Sequence, residues 1–393
     1  THSFDTIPFN KITPDEKGNW INLVENDWDE MIPIFHKNSN NKFFNFTSLG
    51  VSTNRDEWVY DFDKDNLINK VQYFIDKYNE LIDNNNTNWE EAIKWSSNLK
   101  ELFSKKIKLD FNSKLIVEAN YRPFHRLYYY SEKNLSDRLT QNHYKIYGNN
   151  LNSENKAICI NLNGRDFRVF STNIIIDLHF LGDNSEFPLY TYDSDGDRHD
   201  NITDWGRAQF REHYDDPTIE KEDIFHYVYG VLHNPDYRKK YELNLKREFP
   251  RIPFYADFWQ WAKWGQELMD LHINFEEAEP YGLKQHDIDW QYDRLPKAKL
   301  RADKEAGTIE LDEQTYLSGV PKIAWEYKLG NRSALEWILD QYKEKKPKDP
   351  TIAEQFNTYK FADYKEKVID LLQRVTTVSH RTMEIVQEME KEG

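Results

Sequence analysis

The sequence has a single cysteine, Cys159, and no long run of apolar residues. One thiol cannot form an internal disulfide or a multi-thiolate zinc site, which fits a reducing compartment. No apolar stretch reaches the roughly 20 residues needed to cross a bilayer, and the first residues lack the basic and apolar segments of a signal peptide. We therefore expect a cytoplasmic protein that does not enter a membrane.

The sequence also has fewer basic residues than acidic ones. The chain carries 52 Lys and Arg against 68 Asp and Glu, a net charge of −16. This balance argues against simple nucleic-acid binding, because neutralisation of phosphates by Lys and Arg supplies most non-specific affinity. Aromatic residues make up 15% of the sequence and include 12 Trp, so we expect a globular chain whose cores are built largely from rings.

The familiar catalytic and metal-binding patterns are absent. We find no Gly-x-Ser-x-Gly elbow, Walker loop, Rossmann glycine pattern or His-x-x-x-His pair. The acidic stretch at 193–197 resembles a calcium loop, but Arg198 stands where an EF-hand needs glycine and Asp204 where it needs glutamate. A solvated acidic loop is the better interpretation. The sequence therefore predicts no catalytic residue and no metal site.

Periodicity predicts an α+β fold: a small central mixed or antiparallel sheet flanked by helices, with a largely helical C-terminal half. Apolar residues recur at helical spacing over 67–81, with Asp63 or Asp65 as the N-cap, and again over 89–107. A hairpin around Asn163-Gly164 and a further strand at 174–180 predict the sheet. Helices are expected at 224–232, after Asn234-Pro235, at 258–273, at 334–342 and at the end of the chain, and a short strand pair at 307–317.

These patterns suggest three parts. Residues 1–110 form a helical segment, residues 111–216 contain the sheet, and residues 217–393 are mainly helical and carry the basic clusters. The basic clusters lie at 235–253, 294–304 and 322–348; the first has six cations against three acids. A solvated helix face explains any one cluster equally well, but three clusters in one half favour a phosphate-facing surface.

Five short blocks together resemble a known family. They are GVSTNRDEWVY at 50–60, YRPF at 121–124, YGVLHNPDYR at 229–238, FPRIPF at 249–254 and GNRSALEWI at 330–338. In this order they are similar to the C-terminal target-recognition region of type ISP restriction-modification enzymes. In that family one polypeptide joins a nuclease, a helicase-like ATPase, an adenine methyltransferase and this region.

The resemblance implies a fragment that is not an enzyme by itself. It would read an asymmetric site on double-stranded DNA and position the duplex so that the methyltransferase can flip out an adenine. S-adenosylmethionine, ATP and magnesium would serve the parent enzyme, and no cofactor is expected here. We expect residues 1–110 to connect to the methyltransferase domain and the fragment to be monomeric.

The chemistry of DNA reading assigns candidate residues. Arg can bond guanine with two hydrogen bonds, whereas Lys suits phosphates. Candidate phosphate contacts are Arg238, Lys239, Lys240, Lys246 and Lys299. Candidate contacts in a groove or beside a flipped base are Asn54, Arg55, Arg294, Arg301 and Arg332.

Three alternatives stay open. Asn54 and Arg55 equally fit a structural turn in which Arg55 pairs with Asp56 or Asp61, and Arg122 fits a buried structural arginine among rings. The acidity and the abundant Trp and Tyr also suit a carbohydrate-binding or glycoside-hydrolysing protein. A third possibility is a segment that docks other domains and reads no bases.

Overall fold

A computed structural model of the chain describes residue 14 and residues 27–84, 93–161 and 166–392. This part of the chain contains α-helices of 4 to 32 residues together with short strands. The helices are α1 Asp56–Val59, α2 Lys64–Asn84, α3 Ser97–Ser104, α4 Gln141–Tyr147, α5 Asp204–Tyr214, α6 Lys221–Val231, α7 Pro235–Lys240, α8 Glu242–Leu245, α9 Phe258–Ile273, α10 Ala334–Gln341 and α11 Phe361–Glu392. None of these helices combines the length and the apolarity that a membrane span requires.

The strands form several small antiparallel sheets, so the α+β prediction is confirmed. The strands are β1 Ile32–Pro33, β2 Ser48–Leu49, β3 Tyr60–Asp61, β4 Ile116–Arg122, β5 His125–Tyr130, β6 Ala157–Asn161, β7 Arg168–Thr172, β8 Asn184–Pro188, β9 Tyr190–Tyr192, β10 Arg198–Asp200, β11 Arg251–Ile252, β12 Lys284–Asp287, β13 Ala298–Asp303, β14 Thr308–Asp312, β15 Thr315–Ser318, β16 Lys328–Leu329 and β17 Arg332–Ser333. Two sheets have four strands, in the orders β2-β8-β6-β7 and β12-β15-β14-β13, and one has three, β3-β5-β4. The pairs β1-β11, β9-β10 and β16-β17 complete the set for the described residues.

One strand prediction is wrong, and another is confirmed but incomplete. The segment 174–180 makes only isolated bridges, because Asp177 accepts a hydrogen bond from the His179 amide and turns the chain. Strand β8 pairs with β6 instead. The strand pair at 307–317 is part of a four-stranded sheet. Its outer strands were not predicted: β12 has no apolar residue, and in β13 the alternating apolar residues Ala298, Leu300 and Ala302 include only one large side chain.

Most helix predictions are confirmed, but the helix predicted at 89–107 is shorter: among its described residues only α3, Ser97–Ser104, is helical. Asp63 caps α2 by accepting from the Asn66 amide at 2.7 Å. Asn234 caps α7 by accepting from the amides of Asp236 and Tyr237, with Pro235 in the first turn. The Asn163-Gly164 turn and the first part of the helix predicted at 89–107 lie outside the described residues.

Three aromatic-rich cores hold the fold together. The first surrounds α6 and α9, the second packs the β12–β15 sheet and α10 against α11, and the third lies between α2 and the β3-β5-β4 sheet. Each core takes residues from more than one of the three parts suggested by the sequence, so the boundaries at 110 and 216 remain a prediction.

Helices α6 and α9 touch through their backbones. A Cβ atom at Gly265 would lie 1.7 Å from the carbonyl oxygen of His226, and one at Gly230 would lie 2.7 Å from that of Trp261. Both distances are shorter than any van der Waals contact, so only glycine fits at these two positions. The close approach buries every residue of α6 from Ile224 to Val231.

A carboxyl group lies deep in the fold, at Glu186 on β8. Its Oε1 accepts a hydrogen bond from the Tyr147 hydroxyl, and its Oε2 has no partner among the described residues. Burial raises the pKa of Glu186 to about 8 from an ordinary value of 4.5. The carboxyl group is therefore protonated in the folded chain at neutral pH.

This raised pKa predicts a loss of stability with rising pH. Between pH 5 and 8 Glu186 ionises in the unfolded chain but stays protonated in the folded one, so proton binding favours folding less as pH rises. The free energy of unfolding of the wild type should fall relative to that of Glu186→Gln by about 1 kcal/mol per pH unit over this range. Denaturant unfolding at several pH values measures this difference; parallel pH profiles for the two proteins would contradict the burial of a neutral Glu186.

Candidate nucleic-acid interface

A basic segment, residues 343–350, is held against α1, and we call it the lysine loop. The carboxylate of Glu57 accepts hydrogen bonds from the amides of Lys348 and Asp349 at 2.9 and 2.8 Å. The Trp58 indole donates to the Asp349 carboxylate at 2.8 Å. These contacts use the loop backbone and one acidic side chain, so they leave the lysine side chains exposed to solvent.

In and around the lysine loop, positive charges outnumber the carboxylates that pair with them. The Asp340 carboxylate at the end of α10 has Arg332 at 3.2 Å, Lys343 at 3.5 Å and Lys345 at 3.7 Å, so one negative charge serves three positive ones. Lys346 and Lys348 have no carboxylate within 4 Å in the part of the chain that the structure describes. This arrangement leaves a local excess of positive charge on the surface of an acidic protein.

Two cavities flank the lysine loop. One, of about 560 Å³, is lined by Arg332, Lys346 and the rings of Phe62 and Tyr359. The other, of about 590 Å³, is lined by Asn54, Arg55, Lys94 and Lys348. Asp56, Glu57 and Tyr121 contribute to both, so the fold brings the predicted residues Asn54, Arg55 and Arg332 into one region.

Asn54 and Arg55 differ sharply in exposure. Asn54 is exposed and has a φ of 55°, a left-handed conformation that asparagine tolerates better than most residues. The Arg55 side chain is turned inward, and the residue is only 4% exposed. Asn54 is therefore available for a groove contact, whereas Arg55 can be reached only through the cavity that it lines.

A second feature is the aromatic loop, residues 288–297, which joins β12 to β13 and carries the predicted residue Arg294. The Arg294 guanidinium lies 5.1 Å from the Trp290 ring centre and 5.5 Å from that of Tyr292, and it pairs with Glu313. The Trp290 indole donates to the Arg294 carbonyl oxygen. The loop thus fixes its own shape while Tyr292 and Leu295 remain 66% and 71% exposed, as in a surface that contacts a partner.

Lys299 and Arg301, two further predicted residues near the aromatic loop, lie on the same face of β13. Arg301 has no ion pair among the described residues, whereas Lys299 reaches Glu310 at 3.4 Å. The ion pair of Lys304 with Glu336, at 2.8 Å, ties this sheet to α10, which also carries Asp340. The aromatic loop and the lysine loop are therefore parts of one connected body.

The predicted phosphate-binding residues of the cluster at 235–253 lie in different environments. Arg238 donates from Nε to the Leu232 carbonyl oxygen at 2.6 Å and lies over the Phe167 ring, and burial lowers its pKa to about 10. This guanidinium packs against the first core, which does not favour a phosphate contact; the assignment of Arg238 to phosphate stays a prediction. Lys240 pairs with Asp27 and Lys246 with Glu242, while Lys239 is exposed without an ion pair in the described part of the chain.

Other predicted features have ordinary structural roles. Arg122 packs 4.0 Å from the Tyr121 ring centre and pairs with Asp177 at 2.6 Å, which confirms it as a structural arginine. Asp193 in the acidic loop accepts from the amides of Asp195 and Asp197, forming the β9-β10 turn. Within the described residues, no three His, Cys, Asp or Glu side chains are grouped to hold a metal ion.

The anchoring of the lysine loop was not predicted. The loop residues Lys343, Lys345, Lys346 and Lys348 were counted in a basic cluster, but Glu57, Trp58 and Lys94 lie about 250 to 290 positions away in sequence. The only available signal was local: two prolines among the lysines predict an irregular, exposed segment. Nothing local indicates which carboxylate holds it.

Comparison with known proteins identifies the family. Residues 42–371 match the Type ISP C-terminal specificity domain. The chain belongs to this family. A search of curated proteins found no match.

Three solved structures resemble this specificity domain. A cryo-electron microscopy DrdV–DNA complex is 45% identical, with a TM-score of 0.91 over 100% of this chain. A nuclease-deletion mutant of the Type ISP restriction-modification enzyme LlaGI, with a DNA substrate mimic, is 32% identical, with a TM-score of 0.80 over 98%. The ATP-dependent Type ISP enzyme LlaBIII bound to DNA is 28% identical, with a TM-score of 0.83 over 96%. The chain spans 41%, 36% and 26% of these chains, respectively.

Removal of the Glu57 anchor should free the lysine loop of the specificity domain. Glu57→Ala leaves the amides of Lys348 and Asp349 without their acceptor, a loss of about 1 to 2 kcal/mol in local stability. Limited trypsin digestion should then cleave within residues 343–348 about tenfold faster than in the wild type. Glu354→Ala, which removes an exposed carboxylate close by, is the matched control and should leave the rate unchanged. Equal rates for Glu57→Ala and the control would contradict the proposed anchor.

Proposed function

We propose that this specificity domain recognises a DNA sequence and positions the duplex for adenine methylation and cleavage by other parts of a larger protein. The observation that carries the proposal is the match to the specificity-domain family over residues 42–371. The three similar structures support it, since each is a complex with DNA or a DNA mimic.

The distribution of charge fits this function despite the net charge of −16. The Asp177 carboxylate is neutralised by Arg122, and those of Glu57 and Asp349 are directed to loop amides and to the Trp58 indole. Lys346 and Lys348 on the lysine loop remain free to approach phosphates. Positive charge confined to one surface supports DNA binding even when the whole protein is acidic, because screening limits the reach of distant charges.

Two kinds of contact follow from the geometry. The exposed lysines suit phosphate oxygens, which fix the register of a protein on the duplex without reading sequence. Arg294 and Arg301 suit base edges, since a guanidinium can donate two hydrogen bonds to guanine O6 and N7. Arg294 has the better support, because the rings of the aromatic loop already hold it in place.

The chemistry would be supplied elsewhere in the protein. We propose that a methyltransferase domain of the same polypeptide binds S-adenosylmethionine, that an ATPase uses ATP and magnesium, and that this domain needs no cofactor. We also propose that the protein works in the cytoplasm. The carbohydrate alternative has no support from the family match or from the similar structures.

Selection of duplexes from a randomised pool tests the function. The wild-type chain should enrich one sequence, and its affinity should fall steeply as salt rises. Arg294→Met or Arg301→Met should relax the preference at individual base positions, at a cost of about 1 to 3 kcal/mol each.

Lys239→Met is the matched control for these variants. It should weaken binding to all sequences alike and leave the enriched sequence unchanged, as expected of a phosphate contact. Failure of the wild type to enrich any sequence, or salt-independent binding, would exclude target recognition by this chain.

A further inference from the structure

Arg55 is a buried charge without a counter-ion. The residue is 4% exposed, and its Nε and Nη1 atoms have no hydrogen-bond partner among the described residues. Its guanidinium lies 5.4 Å from the Phe74 ring centre. Burial lowers the pKa of Arg55 to about 10, so the group remains charged at neutral pH. A buried guanidinium of this kind is costly unless something outside the chain compensates it.

The carboxylates expected to pair with Arg55 are engaged elsewhere. Asp56 accepts from the hydroxyl groups of Thr53 and Tyr121, and Asp61 pairs with Lys70 at 2.6 Å. The expectation that Arg55 pairs with Asp56 or Asp61 is therefore wrong. Asp137 acts on Arg55 only from beyond the 4 Å range of an ion pair, and its nearest cation is Arg138 at 3.7 Å.

Arg55 lines the cavity of about 590 Å³ beside the lysine loop. The acids of this cavity already have donors within the chain: Asp177 binds Arg122 and the His179 amide, Glu57 binds the loop amides, and Asp349 binds Trp58.

The cations of the cavity are not engaged in this way. Lys94 and Lys348 line the wall as well, and neither has an ion pair in the described part of the chain. His179 pairs with Asp183 at 3.2 Å. The unsatisfied groups of the cavity are therefore hydrogen-bond donors with positive charge.

We propose that this cavity binds a phosphate group, with Arg55 as its central donor and Lys94 and Lys348 at its entrance. A guanidinium suits phosphate because its planar donors match two oxygens at once, and the two ammonium groups add charge without fixing geometry. The inference rests on the proposed function for its source: a phosphodiester of the DNA strand, held at a fixed point while the loops contact bases.

The arrangement also explains why the protein tolerates an unpaired buried arginine. Folding already removes the charge of a preformed donor set from water, so the free-energy cost of this desolvation does not recur when the ligand binds. A purely structural arginine would show the opposite behaviour, because its loss would leave a partner unsatisfied. Arg122 provides that contrast nearby, because its partner Asp177 lines the same cavity.

The test compares Arg55→Met with the wild type in the 393-residue chain. Arg55→Met should unfold at the same temperature as the wild type or higher, while Arg122→Met should unfold at a lower one. The affinity of Arg55→Met for the enriched duplex should fall about tenfold, and the slope of log affinity against log salt should decrease by about 0.9, the value for one phosphate contact. Arg55→Lys, which keeps the charge, should recover part of the affinity.

A second arm identifies the source of the phosphate. Inorganic phosphate should raise the melting temperature of the wild type more than that of Arg55→Met if the site accepts free anions; a loss of DNA affinity without this effect assigns the site to DNA alone. If the wild type binds the duplex and Arg55→Met binds equally well, with no phosphate effect on either, the site is overturned. If the wild type itself enriches no sequence, the proposed function fails, and the phosphate arm still decides on the cavity.

Discussion

The contact between Gly230 and Gly265 is the constraint on which the fold depends. It lets α6 and α9 approach until the backbones touch, and it leaves α6 no exposed face beyond its first turn. Helix α9 also contacts two other elements. Its residues pack on β7, and the Trp264 indole donates a hydrogen bond to Glu388 on α11. One close helix pair therefore fixes the positions of the sheet and of the long C-terminal helix.

From this centre the fold holds the aromatic loop and the lysine loop by different means. The aromatic loop is held mainly by its own rings, since Trp290 and Tyr292 pack on Arg294. The lysine loop depends on a distant partner, because its amides bind Glu57. In each loop a neutral or acidic group binds the backbone or packs on a side chain, so lysine or arginine side chains remain available to a ligand. An acidic chain can in this way keep a positively charged surface.

The sequence predicted the elements whose signals are local. The caps Asp63 and Asn234 and the stripe of α9 follow from neighbouring residues, and the family blocks identified the kind of domain. It did not predict the inward packing of Arg238, and it was wrong about the strand at 174–180. A basic run in sequence says nothing about which side chain turns inward, and a buried β-branched run resembles a strand whether or not it pairs. Those facts depend on contacts between residues far apart in the chain.

Arg55, Arg122 and Arg238, which all pack against aromatic rings, show how such contacts separate structural from ligand-binding roles. Arg122 has a carboxylate and Arg238 a carbonyl oxygen, so folding alone accounts for both. Arg55 has neither, although it lies in the same block of sequence as Asp56 and Glu57. Because an unpaired buried charge lowers stability, its presence needs a reason that lies outside the folded chain. Burial alone does not mark a site; burial without a partner, beside a cavity whose acids are already bonded, does.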